Sequence, residues 1–172
     1  QPDFVVADEI DVETFLEDVF MRWSEVAARA WRLGPLAAGT LVADREGLRI
    51  ALDALLENAV KYTDAGDAIE LRGNAERSTL AIEVADAGSG IPQEALAKIF
   101  DRFGRADAAR TRTTGGVGLG LAIVDAIAKA HGGSCTVTSS AAGSTFTLRV
   151  PRLGRAVETV DVVAATAALE PG

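Results

Sequence analysis

Four groups of residues have the types and spacing to carry chemistry. Glu57, Asn58, Lys61 and Tyr62 fall within two turns of one helical segment. At about 100° per residue, Asn58, Lys61 and Tyr62 share a face beside the apolar stripe, with Glu57 one position round. A carboxylate, an amide, an ammonium and a phenol gathered there can hold Mg²⁺ through oxygen and touch phosphate through Lys61. The plainer alternative is a solvated helix face with a Glu57–Lys61 pair four residues apart. The second group is Asp86-Ala87-Gly88-Ser89-Gly90 at a strand end. Its glycines admit close approach of backbone to a ligand, and the Asp86 carboxylate can accept from an exocyclic amine, which would select adenine. An ordinary Asp-Gly turn is the plainer alternative.

The third group, Gly115-Gly116-Val117-Gly118-Leu119-Gly120, opens a helix. Unpaired N–H groups and the positive dipole end suit phosphate there, although a flexible hinge has the same composition. No Gly-Lys-Ser/Thr occurs, so it is not a P-loop. The dinucleotide fingerprint also fails, because the spacing is wrong and an Arg/Thr-rich stretch precedes the run where a strand is needed. The fourth group is Phe100, Arg102, Phe103 and Arg105 at the start of that stretch, residues 101–117. Arginines and aromatics in a loop so long suit a lid over polyphosphate, or a solvated loop whose phenylalanines dock on the core.

Periodicity supplies the elements that must position these groups. Apolar residues from Val12 to Trp31 recur every three to four positions, which predicts a helix over 11–31 ended by Gly34-Pro35. A short strand near 39–43 precedes Asp44, the N-cap of a helix over 45–62 whose stripe is Leu48, Leu52, Leu55, Leu56 and Ala59. Residues 64–67 read as a turn, 68–73 and 79–85 as strands, and 92–99 as a short helix opened by Pro92. A third long helix, 118–130, stops at Gly132-Gly133. Strands 134–140 and 144–150 form a hairpin, with Cys135 on its core side. The fold predicted is a two-layer α/β sandwich, a mixed and mostly antiparallel sheet of about five strands on three helices. Residues 1–152 make one domain, and 153–172 read as a tail with room for one more strand.

Composition removes several classes. The chain has 172 residues, 48% of them hydrophobic and 24% charged, enough to bury a core without staples. One cysteine and one histidine exclude a disulfide framework and a Cys/His zinc site. Twenty-five acids against 17 bases, a net charge of −8, argue against nucleic acid as a partner. No apolar stretch is long enough to span a membrane, so no membrane contact is expected.

Taken in order, the motifs resemble those of the ATP-binding catalytic domain of two-component sensor histidine kinases, the Bergerat fold. Leu55 to Thr63 is similar to that family's N box, Asp86 to Pro92 to its G1 box, Ile99 to Phe103 to its F box and Gly116 to Val124 to its G2 box. His131-Gly132-Gly133 and Gly143 to Phe146 match its closing hairpin, and the resemblance spans about residues 10–151. It implies ATP and Mg²⁺ as cofactors and transfer of the γ-phosphoryl group to a histidine. Asn58 would hold Mg²⁺, Glu57 would polarise or act as a base, Lys61 would contact phosphate and Tyr62 would stack near adenine. Asp86 would bind the adenine amine, with Gly88, Gly90 and Ile91 around the base. Arg102 and Arg105 would reach the phosphates, and the amides of Gly116, Val117, Gly118, Leu119 and Gly120 would cradle them. Thr145 would reach the base through water.

Two features qualify the match. The family usually carries a second Asn one turn before Asn58, where this chain has Ala54; Asp53 points about 100° away and is a poor substitute. The only histidine, His131, sits at a helix end, where the dipole favours its protonated form. It is not a phosphoacceptor, so the chain is expected to be cut from a kinase or to act in trans. The partners implied are a phosphoacceptor histidine domain and a downstream response regulator. A monomer is expected in isolation, as is a cytoplasmic location, since parent kinases are often membrane-anchored with this domain inside. The alternatives are a nucleotide-binding module without kinase activity, because of Ala54, and a partner-switching serine kinase.

Overall fold

A computed structural model describes residues 7–100 and 117–151. In chain order they form β1 (Asp8–Asp11), α1 (Val12–Trp23), β2 (Ala30–Leu36), β3 (Thr40–Ala43), α2 (Arg45–Lys61), β4 (Ala68–Ala75), β5 (Thr79–Asp86), α3 (Gln93–Leu96), α4 (Val117–Ala130), β6 (Ser134–Ser140) and β7 (Gly143–Pro151). Five strands make one sheet in the order β2-β4-β5-β7-β6, and β1 pairs with β3 in a separate ribbon. Only the β2–β4 pair is parallel.

One face of the sheet carries the apolar residues of alternating positions: Ile69 and Leu71 on β4, Ile82 and Val84 on β5, Phe146 and Leu148 on β7. Against it lie Leu16 of α1, Leu48, Leu52, Leu55 and Leu56 of α2, and Leu121 and Val124 of α4, all nearly inaccessible to solvent. The result is the expected two-layer α/β sandwich with three long helices on a mostly antiparallel sheet. Asp44 caps α2, its carboxylate accepting from the Gly47 amide at 3.2 Å. No helix among the described residues is long and apolar enough to cross a membrane.

The first helix is shorter than its periodicity predicts. It ends at Trp23 with Ser24 as its cap, and Trp31 lies on β2. The spacing persists across the break because β2 returns alongside α1: the Trp31 ring meets Phe20 edge-on, with centroids 6.5 Å apart. Gly34-Pro35 therefore lies within a strand. Pro35 is tolerated because β2 is an edge strand and its register with β4 shifts between Leu33 and Leu36. The strand β1 has no counterpart in the sequence reading. Cys135 is buried as expected, and burial pushes its thiol up to about 12, which removes it as a nucleophile.

His131 follows α4, as expected, but its hydrogen bonds are not those of an imidazolium. Nδ1 faces the Ile127 carbonyl at 2.9 Å and must donate, while Nε2 accepts from the Asp44 amide at 3.0 Å. Both bonds together require the neutral ring with its proton on Nδ1. The ring thus latches the end of α4 to the N-cap of α2. His131→Ala is expected to destabilise the domain by about 1–2 kcal/mol in urea denaturation; unchanged stability would show that the latch carries no weight.

Candidate functional site

The C-terminal turn of α2 is held from three sides. Thr63 Oγ1 donates back to the Ala59 carbonyl at 2.7 Å. From the loop before β2, the Arg29 guanidinium donates to Thr63 Oγ1 at 2.7 Å and to the carbonyls of Val60 and Thr63, each at 3.0 Å. It serves as a side-chain cap for the carbonyls at the end of the helix, Val60 among them, whose oxygen also accepts from Thr63. On the third side lies the turn after β5, where a Cβ at Gly88 would overlap the Tyr62 carbonyl. Only glycine permits this approach of turn to helix.

On this fixed helix end, Asn58 is 5% exposed, and neither Oδ1 nor Nδ2 has a partner among the described residues. Buried amides are almost always paired, so both atoms have hydrogen-bonding capacity that no described residue uses. The oxygen suits a hard cation or a water bound to one, and the N–H₂ suits phosphate or water. No group of three or more His, Cys, Asp or Glu able to hold a metal occurs among the described residues. The unused Asn58 oxygen fits one protein ligand to an Mg²⁺ whose other ligands are phosphate and water. Glu57 and Lys61 are exposed at the same end of α2, and Tyr62 is half-buried, its phenol pushed up by burial. Ala54 packs against the core, and Asp53 is committed elsewhere. It accepts from Trp23 Nε1 at 2.8 Å and is paired with Arg22 and Arg49, each at 3.0 Å.

Asp86 ends β5 and is 8% exposed. Burial raises its carboxyl above the ordinary 3.8, opposed by the backbone N–H groups of Gly88 and Ser144. The Gly88 amide donates to Oδ1 at 2.9 Å, closing the turn. Gly90 has a φ of +86° and abuts the Ser140 carbonyl, which a Cβ would overlap. Beyond it a cavity of about 500 Å³ is lined by Tyr62, Ser89, Gly90, Ile91, Pro92, Gln93, Ser139, Ser140 and Ala141. Asn58 and Asp86 are not in that lining, but they adjoin it through Tyr62 and through the turn. Of the aromatic pair before the Arg-rich stretch, Phe100 packs edge-on against Phe146, with centroids 6.2 Å apart.

The register of the hairpin sets which face each of its residues takes. Ser144, not Thr145, lies opposite Asp86; Thr145 pairs with Ala85 and so projects from the other face of the sheet. Ser144 is 3% exposed and lies 2.8 Å, oxygen to oxygen, from Ser139 on β6. Ser139, Ser144 and Arg29 are residues that sequence reasoning missed. Val117, Gly118, Leu119 and Gly120 lie in the first described turn of α4. Arg102, Phe103, Arg105 and Gly116 lie outside the described residues, as does the tail 153–172.

The titration of Asp86 has a definite sign. A carboxyl raised in the folded state binds its proton more tightly there than in the unfolded chain. Its contribution is therefore most favourable below 3.8 and is lost as pH rises through the raised value. The contribution of Asp86 to the stability of the ligand-free chain should fall with pH across that window. In urea denaturation at a series of pH values, Asp86→Asn should therefore gain stability relative to the unaltered chain as pH rises through the window; a constant difference between the two proteins would contradict the burial argument.

Comparison with known proteins agrees with this fold. The family model described as histidine kinase-, DNA gyrase B- and HSP90-like ATPase matches residues 43–154. The sensor-like histidine kinase SenX3 of Mycobacterium tuberculosis is 36% identical over 149 residues, 84% of this chain and 36% of SenX3. The chain thus spans about a third of the length of this relative. The crystal structure of full-length ShkA in complex with AMPPNP is 30% identical with a TM-score of 0.74, over 87% of this chain and 32% of that one. The ATP-binding domain of PrrB from Mycobacterium tuberculosis is 27% identical with a TM-score of 0.68, over 85% of this chain and 97% of that domain.

Proposed function

The chain belongs to the family of histidine kinase-, DNA gyrase B- and HSP90-like ATPases, and on that premise we propose that it is the ATP-binding catalytic domain of a two-component sensor histidine kinase. It would pass the γ-phosphoryl group of ATP to a histidine on a separate phosphoacceptor domain, with a response regulator downstream. The observation that carries this reading is the buried, unpartnered carboxamide of Asn58. It lies one turn from the helix end that meets the Asp86 turn, so one ligand with a base and a charged tail can satisfy both.

In this reading the Asp86 carboxylate accepts from the adenine amine, and the glycines at 88 and 90 keep side chains out of the base's way. Tyr62 flanks the base. Mg²⁺ bound with ATP would supply charge neutralisation at the phosphates, with Asn58 as its protein ligand. Lys61 would contact phosphate, and Glu57 would polarise the attacking group. Arg102, Arg105 and the amides from Gly116 to Gly120 would close over the phosphates. Ser144 takes the place beside the base first given to Thr145. Catalysis is then positioning and charge stabilisation, since phosphoryl transfer asks for little covalent chemistry from protein. This reading places the domain in the cytoplasm and makes it a monomer in isolation.

Ala54 favours a second reading, a nucleotide-binding module that does not transfer phosphoryl. Asp53 cannot stand in for the missing Asn, because Trp23, Arg22 and Arg49 hold it. Labelling of a phosphoacceptor histidine domain, with and without Ala54→Asn, separates the two readings. An acid-labile product distinguishes either from a partner-switching serine kinase.

Titration calorimetry with ATP, with and without Mg²⁺, tests the assignment. Saturable binding is expected, weakened at least about tenfold by Asp86→Asn, the effect of losing an acceptor to a buried donor. Asn58→Ala should abolish the gain that Mg²⁺ gives and leave Mg²⁺-free binding close to normal. No saturable binding, or equal affinity in all three proteins, would overturn the reading.

A further inference from the structure

Three neighbouring strands change character at the same rung of the sheet. On the core face, Ile82, Leu148 and Cys135 form one cross-strand row, and Val84, Phe146 and Val137 the next. The third row is Asp86, Ser144 and Ser139. An apolar ladder across β5, β7 and β6 thus ends in one polar rung at the edge of the cavity. The rung is hydrogen-bonded beyond itself. Ser139 Oγ lies 2.8 Å from Ser144 Oγ and accepts from the Ile91 amide at 2.8 Å. Ile91 is 7% exposed, so its N–H has little water to turn to.

We propose that Ser139 is a positioning residue for base recognition, which ties the turn at Gly90-Ile91 to the Asp86–Ser144 pair and so sets the width of the base pocket. The proposal rests on the nucleotide-binding reading above and deepens it. Proton counting supports the link. The Ile91 amide occupies one acceptor site on Ser139, and one hydroxyl proton joins the two serines. One further hydroxyl proton is left over; if Ser139 donates to Ser144, that proton is on Ser144, the residue facing Asp86. Ser139 lies on β6, which pairs with β7 while β7 pairs with β5, so it acts on Asp86 through Ile91 and Ser144. The contact is also close: a Cβ at Gly90 would overlap the Ser140 carbonyl and come within 3.2 Å of Ser139 Oγ, so only glycine lets the turn sit near enough to β6 for this bond.

The test measures ATP and GTP affinity by calorimetry for the unaltered chain, Ser139→Ala and Ser139→Thr, with amide exchange at Ile91 followed in each. Ser139→Ala should weaken ATP by roughly tenfold, the effect of stranding a buried donor, and shrink the preference for ATP over GTP. Its Ile91 amide should exchange faster. Ser139→Thr, which keeps Oγ, should restore the preference and the protection. A general loss of stability would lower both affinities alike, leave their ratio unchanged and so overturn the proposal. Unchanged ATP affinity in Ser139→Ala, with the unaltered chain binding, overturns it alone. Failure of the unaltered chain to bind ATP overturns the functional reading and this proposal with it.

Discussion

A carboxamide kept almost entirely from solvent, with neither polar atom paired among the described residues, is the feature on which the site depends. Each stranded polar atom costs about 1–3 kcal/mol, a large share of a domain's net stability. Asn58 sits amid Leu55, Leu56 and Ala59 on the core side of α2, where an apolar residue would be cheaper. The cost is offset only when something else satisfies the amide. A ligand that does so gains the same interactions without first displacing a competing protein partner, which is a form of preorganisation.

That economy works only if the helix end stays in place. Arg29 caps it, Thr63 back-bonds into it and the Gly88 turn leans on its last carbonyl. These contacts come from three separate stretches of chain, yet all act on backbone within one turn of Asn58. At the other end of the ligand, a polar rung holds the Asp86 turn from the hairpin side. His131 joins the last turn of the third long helix to the first turn of the Asn58 helix. The rigid part of the site therefore spans the whole two-layer sandwich.

Most of this frame was legible in the sequence, for physical reasons that also explain the misses. The helix with Asn58 was bounded by a side-chain cap and an unbroken apolar stripe, so its limits could be read closely. The first helix was overextended because a returning edge strand presents Trp31 to the same core at helical spacing. The sequence motif points to Thr145 and the register to Ser144 beside Asp86, because strand residues alternate faces and a motif without a register does not say which face a position takes. Arg29 and Ser139 escaped notice because their partners are backbone groups 31 to 48 positions away, and such bonds leave no local pattern. The unpartnered state of Asn58 is a property of packing and has no sequence signature of its own.

The most direct test of the central claim is to follow the side-chain amide resonances of Asn58 by NMR while the chain is titrated with ATP and Mg²⁺. The account predicts that both amide protons shift with the same saturation as binding and become protected from exchange. Binding that saturates while the Asn58 amide stays unperturbed would contradict it, because the ligand would then lie elsewhere and the buried carboxamide would need another explanation.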